Sequence, residues 1–381
     1  MNKYHLLPLA KTPACICDLT ELEKSLDFHH QIKLKSSCKI QFALKSFSIP
    51  SILEHIKIKI DGFSASSLFE AKLAHNILNT DQSIHFTSPG LRVDEVDEIT
   101  RKINYITFNS ISQWIRFKNI FSKDTYCGFR INPQYAAKID ERYNPCKSHS
   151  KLGIRLNDFI DFIKNNDMPN ISGLHFHTNC DSTDFNFLLN TILLLDRNIE
   201  QFLHKIKWIN IGGGYLFEEA KSLDVFYEAI YFLKNKYNLD VFIEPGSSII
   251  RNSCFLISTV IDLFKSDNME IAILDTTINH LPEVFEYQYR HEVSNMITNG
   301  QYEYILAGST CLAGDEFGIY QFDDPLQIGS KIVFENIGSY STVKSNMFNG
   351  INLPTIYSLD SRNELSLIKE FDYRDFLYKY S

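Results

Sequence analysis

The chain has 381 residues, 44% of them hydrophobic and 22% charged, with a formal net charge of −8. That balance belongs to a globular protein with room for a barrel and a smaller domain, not to a disordered chain. The acidic excess and the lack of any Lys/Arg block speak against a nucleic-acid binder, and they suit a cationic substrate.

No apolar run approaches the roughly 18 residues that span a bilayer, so no membrane association is expected. The opening MNKYHLLPLAKTPACICD has too short an apolar stretch for a signal peptide. The cysteines at 15, 17, 38, 127, 146, 180, 254 and 311 show no paired CxxC spacing. They read as reduced thiols of a cytoplasmic protein.

In chain order, short apolar strands are predicted at 38–45, 58–66, 83–88, 104–110, 125–131, 171–178, 207–213 and 240–246. Helical patterns fill the gaps, among them 67–78, 94–103, 112–121 and the longer 185–206. Near-continuous apolar strands alternating with helices describe a parallel sheet covered by helices. Eight such units over about 220 residues close most economically as a (β/α)8 TIM barrel. After about residue 250 the segments CFLISTVIDLF, MEIAILDT, YEYILAG and KIVFENIGSYS are β-rich without intervening helices. The expected organisation is therefore a barrel over 21–250 and a C-terminal β domain over 251–381, which residues 1–20 rejoin through PACICDL. The longest irregular stretch, 132–151, follows the fifth strand, where barrel loops carry function.

Chemistry in such barrels sits at the C-terminal strand ends. Lys45, Ser64, Ser66, Ser88, Asn109, Arg130, His177, Gly212 to Gly214 and Glu244 collect there. Lys45 ends an apolar strand, and partial desolvation would lower its pKa as a Schiff-base lysine requires. The plain alternative is a lysine reaching solvent. Gly212, Gly213 and Gly214 would let free N–H groups approach a phosphate, or would simply form a turn. His175 and His177 share one strand face. His177 lies nearer the rim and could stack on a flat ring, whereas His175 reads as a core residue. No third ligand accompanies the HxH pair, so no metal is expected. Glu244 could pair with a pyridinium nitrogen, and Cys311, in GSTCLAGDEFG, could deliver a proton.

These residues lie in motifs that match a known family. TPACICDL, FALKSFS, DGFSASSLFEAKL, FNSISQ, RINP, GLHFHTNC, WINIGGG, EPG, STCLAGD and FNGINLP follow one another along nearly the whole chain. In this the chain resembles the fold-type III pyridoxal phosphate decarboxylases of the ornithine decarboxylase and alanine racemase-like superfamily. HFHT followed by CLAGD and FNG resembles the carboxynorspermidine branch more than the ornithine, arginine or diaminopimelate enzymes.

The resemblance implies pyridoxal 5′-phosphate held on Lys45 and decarboxylation of carboxynorspermidine, carboxyspermidine or both, in polyamine biosynthesis. It further implies that His177 stacks on the cofactor ring and that Gly212, Gly213 and Gly214 hold its phosphate. Glu244 would partner the ring nitrogen, and Tyr340 would reach the phosphate from the β domain. By the same resemblance Cys311 donates a proton across a homodimer interface with shared active sites, and Asp275 and Asp315 lie near the substrate's distal amine. Three departures touch the fit: Ser247 where relatives place an arginine, GST in place of GPT, and Asn179 where a bulkier apolar residue is usual. The alternatives are another fold-type III decarboxylase, of diaminopimelate, ornithine or arginine type, and a racemase on the same scaffold, but racemases favour an arginine opposite the ring nitrogen, where this chain has Glu244. The two candidate substrates differ by one methylene, worth only about 1–3 kcal/mol of discrimination, and the sequence does not separate them.

Overall fold

A computed structural model describes residues 10–121, 124–136, 141–168, 170–294 and 296–381. The chain divides into two compact units, Leu26–Ser248 and a second that joins the chain up to Ser25 with Ile249–Ser381.

After β1 (Ala14–Asp18), which belongs to the second unit, the strands of the first are β2 (Lys39–Ala43), β3 (Gly62–Ala65), β4 (Ser83–Ser88), β5 (Tyr105–Phe108), β6 (Tyr126–Asn132), the short β7 (Ile154–Arg155), β8 (Ile171–Phe176), β9 (Trp208–Asn210) and β10 (Asp240–Ile243). Every pairing among them is parallel. Phe242 pairs with Lys39 and Ile243 with Ile40, so β10 returns to β2 and the eight main strands close into a barrel, with β7 attached to β6 alone. Helices α1 (Leu19–Ser36), α2 (Pro50–Ile56), α3 (Leu68–Ile77), α4 (Val93–Thr100), α5 (Ile111–Phe117), α6 (Leu156–Asn165), α7 (Asn186–Leu203) and α8 (Asp224–Tyr237) supply the alternation. This is the (β/α)8 fold expected from the pattern.

The local reasons are visible at the strand ends. Ser67 accepts the Glu70 N–H and Ser110 accepts the Gln113 N–H, so each serine caps a helix just after a barrel strand. The Glu70 carboxylate reaches back to the Ser66 N–H at 2.6 Å, and Gln113 Oε1 to the Asn109 N–H at 2.6 Å. These reciprocal bonds end β3 and β5 sharply. The strands are shorter than predicted. Lys57–Lys59 forms a 3-10 turn, and Gln82 Nε2–H donates to the carbonyls of Lys57 and Ile60 there, so only Gly62–Ala65 pairs. Inside the barrel, His85, Tyr105, Trp208 and Phe242 pack as one aromatic group, with His85 stacked on Tyr105 at 4.1 Å.

The second unit is a sheet of β11 (Cys254–Ser266), β12 (Met269–Leu274), β13 (Tyr302–Ala307), β14 (Glu316–Phe322), β15 (Lys331–Phe334), β16 (Thr355–Leu359) and β17 (Leu365–Lys369), with β1 in its middle. β1 runs antiparallel to β11, Ala14 facing Ile257, and parallel to β16, Ala14 facing Thr355. The opening strand therefore does return to this sheet. Its core is Ala14, Ile16, Phe255, Ile257, Val333 and Leu359. Short helices, at Glu283–Tyr287, Ser341–Lys344 and Tyr373–Tyr378, interrupt a region expected to be purely β. Among the described residues no helix is long and apolar enough to cross a membrane.

Candidate active site

The catalytic candidates of the barrel sit just past the strand ends, not on the strands. Lys45 lies in a 3-10 turn, Leu44–Ser46, immediately after β2. Ser46 Oγ–H donates to the Ala43 carbonyl at 2.7 Å and Phe47 N–H to the Leu44 carbonyl at 3.0 Å, while Leu44 and Phe47 are fully buried. The anchored neighbours leave Lys45 projecting from the rim. The Ala43 N–H also donates to the Pro245 carbonyl at 3.1 Å, which ties the first strand end to the EPG segment after the last.

Lys45 keeps accessible surface even though protein atoms crowd it, as a side chain at the floor of an opening does. Burial lowers its pKa, Arg130 adds to the effect and Glu244 opposes it. Among the described residues its amine has no hydrogen-bond or ion-pair partner.

Glu244 is buried and firmly held. Its Oε1 accepts Ser64 Oγ–H at 2.9 Å and Asn210 Nδ2–H at 2.9 Å. Oε2 faces His175 Nε2 at 3.9 Å. Burial drives the His175 pKa well below its usual value, with Arg130 and His177 adding to it, so the ring is neutral and this contact is no ion pair. His177 is neutral for the same first cause, helped by Lys45 and Arg130. Its Nδ1 accepts the Gly213 N–H at 3.0 Å, which places the ring proton on Nε2.

The glycine run differs from expectation in one respect. The expectation is free N–H groups or a plain turn, but Gly212 N–H already donates to Asn210 Oδ1 at 2.9 Å and Gly213 N–H to His177. Among the described residues only the Gly214 N–H of the three is uncommitted. The glycines are required by close approach: a Cβ on Gly213 would stand 2.1 Å from the Glu244 carbonyl oxygen, and Gly212 has φ +70°. The run thus packs β9 against β10 and β8, and leaves one amide for an anion.

Of the other rim residues, Asn109 braces the loop after β6 through Lys151 and Gly153, and Ser88 Oγ–H closes a turn on Gly90. Arg130 is half-buried within electrostatic reach of Lys45, Glu244, His175 and His177. Cys180, pushed up to about 11 by burial and Asp181, senses Lys45 as well. Ser64, Asn210 and Cys180 were not assigned roles from the sequence. The sequence places Ser64 on the rim but gives it no role, and nothing short of the fold flags Asn210.

In the second unit, Cys311 is exposed, and its N–H donates to Asn349 Oδ1 at 2.8 Å. That bond joins the STCLAGD and FNG loops. The Asp315 carboxylate accepts from Ile278 N–H at 2.8 Å, Thr310 N–H at 3.1 Å and Thr310 Oγ–H at 2.5 Å. The Asp275 carboxylate accepts from Ser258 Oγ–H at 2.7 Å, Thr259 N–H at 2.8 Å and Thr12 Oγ–H at 2.6 Å. Both carboxylates are therefore engaged within their own unit. Tyr340 has φ +62°, a conformation rare for an aromatic residue and held only where the surroundings demand it.

The donor set fits pyridoxal phosphate. Among the described residues Lys45 has an unpartnered amine that could meet its aldehyde, Glu244 Oε2 has no donor on it, and Gly214 has an uncommitted N–H that could meet the phosphate. Both nitrogens of buried His175 also lack partners.

Comparison with known proteins agrees with this chemistry. Residues 21–251 match the pyridoxal-binding domain of the pyridoxal-dependent decarboxylases. A carboxynorspermidine/carboxyspermidine decarboxylase of Campylobacter jejuni is 35% identical, covering 96% of this chain and 97% of its own. A carboxyaminopropylagmatine decarboxylase of Synechocystis is 32% identical, covering 96% and 94%. Among solved structures, Campylobacter jejuni carboxynorspermidine decarboxylase complexed with norspermidine superposes with a TM-score of 0.86 at 33% identity, covering 97% of this chain and 100% of that one.

Proposed function

The chain belongs to the pyridoxal-dependent decarboxylases, and from that premise we propose that it decarboxylates carboxynorspermidine, carboxyspermidine or both. The observation that carries this reading is the near-full-length similarity to the Campylobacter jejuni enzyme, together with Lys45 and Glu244 on one barrel rim.

Pyridoxal phosphate supplies, when bound, a ring that accepts the electrons left behind as carbon dioxide departs. The protein's part is attachment, orientation and proton supply. Lys45 is the attachment point, and its lowered pKa raises the share of neutral, nucleophilic amine. Glu244 would partner the ring nitrogen, its carboxylate oriented by Ser64 and Asn210. His177 presents a neutral ring for stacking, fixed by Gly213. Gly214 would hold the phosphate, with Gly212 and Gly213 shaping the loop, and the family resemblance alone suggests Tyr340 as a second phosphate ligand.

Cys311 delivers the proton that replaces the carboxylate, acting across a homodimer interface with a shared site. Its loop position and exposure support that role. Asp275 and Asp315 act on the cationic tail through their charge, since hydroxyl and amide donors already hold their oxygens. The enzyme would work in the cytoplasm. The test is release of carbon dioxide from each acid by purified protein. The Synechocystis relative makes carboxyaminopropylagmatine the third substrate to compare. No release from carboxynorspermidine or carboxyspermidine, whatever the third compound gives, would sink the reading.

A further inference from the structure

Asn210 occupies a point where three parts of the barrel site meet. It is 1% exposed, at the end of β9. Its Nδ2 donates to Glu244 Oε1 at 2.9 Å and lies 3.3 Å from His85 Nδ1, while its Oδ1 accepts the Gly212 N–H at 2.9 Å. The Glu244 N–H in turn donates to the Gly212 carbonyl at 2.8 Å. One carboxamide thus closes a ring of bonds between the Glu244 side chain, the Gly212 amide and the Glu244 backbone.

We infer that Asn210 is a positioning residue that couples the ring-nitrogen partner Glu244 to the glycine loop, so that the two ends of the cofactor are gripped in one fixed geometry. The inference rests on Glu244 and the glycine loop holding the cofactor as proposed above. A carboxamide suits the position because it is neutral and carries a donor and an acceptor on adjacent atoms. Ser64 contributes a second donor to the same oxygen, which leaves Oε2 as the atom free to turn toward the ring. Around the pair stand the Lys45 amine, the Arg130 guanidinium, His85 and His175 as neutral imidazoles, and Tyr215 as a phenol.

The experiment uses the full chain and pyridoxal phosphate itself, with two readouts: cofactor affinity, and the pH at which the absorbance of bound cofactor changes. Asn210→Leu keeps the branching at Cγ and removes both bonds. It is expected to weaken cofactor binding by about 10–100-fold and to move the absorbance transition in the direction that Glu244→Gln moves it. Asn210→Asp keeps the acceptor for Gly212 but can reach Glu244 only while it holds a proton, since two carboxylates in contact cannot both ionise. Its cofactor affinity should therefore fall relative to wild type as pH rises. Wild-type affinity and pH behaviour in Asn210→Leu, beside altered behaviour in Glu244→Gln, would overturn the inference and leave the Glu244 assignment standing. An unaltered Glu244→Gln would bring down that assignment and this inference with it. If Asn210→Leu does not fold, the Asn210→Asp arm decides, and an affinity that tracks wild type across pH overturns the proposal.

Discussion

Ser64 and Glu244 stand 180 residues apart in the chain, yet Ser64 Oγ–H donates to Glu244 Oε1 at 2.9 Å. The bond runs across the barrel from the end of β3 to the turn after β10, and both residues are buried. Ser64→Ala should leave the carboxylate with one donor on that oxygen. A lost hydrogen bond to a buried carboxylate costs about 1.5–3 kcal/mol. The expected result is a melting temperature several degrees lower and a kcat reduced roughly tenfold, read by thermal unfolding and steady-state kinetics.

Lys45→Ala should abolish covalent cofactor attachment. The purified wild type should show a visible absorbance band from the bound cofactor that borohydride removes, and the variant should lack it. Decarboxylation should drop by at least about a thousandfold. A variant that keeps the band and the activity would show that another amine holds the cofactor.

Gly213→Ala places a methyl group 2.1 Å from the Glu244 carbonyl oxygen, where backbone must move. Such overpacking costs about 1–3 kcal/mol. Because the displaced backbone carries Glu244, cofactor affinity should fall along with stability, and the two can be followed in one titration series.

Acid should destabilise this protein through its buried histidines. His85 is pushed down to about 3 and His280 and His291 to about 4, in each case chiefly by burial, from an ordinary value of 6.5. A folded pKa below the unfolded one means the unfolded chain binds the extra proton. Stability is then complete above pH 6.5 and declines as pH falls toward 4 and then 3. His291→Phe retains the edge-on packing with Tyr289 and removes one such group. Denaturant titrations over that range should give a shallower loss for this variant than for wild type.

Mixing Lys45→Ala with Cys311→Ala tests the shared site. Each alone should be nearly inactive. Random reassortment of a symmetric dimer makes half the dimers mixed, each with one intact site, so about a quarter of wild-type activity should return. No recovery from subunits shown to exchange would place lysine and cysteine in the same subunit's site.

The alternation of apolar strands and helices was readable because parallel strands buried on both faces are apolar throughout, and the fold followed from counting them. Lys45, His177, Glu244 and the glycines were readable because such residue types are unusual at the ends of apolar strands. Their hydrogen-bond states were not. Gly212 and Gly213 look like free amides in the sequence, and only the approach of Asn210 and His177 shows them taken. Asp275 and Asp315 look like open charges, and only the packing of Thr12, Ser258, Ile278 and Thr310 shows their oxygens engaged.

Periodicity and residue type, which are properties of neighbours along the chain, determined the barrel and pointed to the return of β1 to the sheet and to the strand ends as the place to look for chemistry. Barrel closure decided the rest, because it brings residues such as Asn210, Ser64 and Glu244 within hydrogen-bond reach from distant strands. Which oxygen is bound, which amide is left open and which histidine is neutral depend on those meetings, and local sequence carries no record of them.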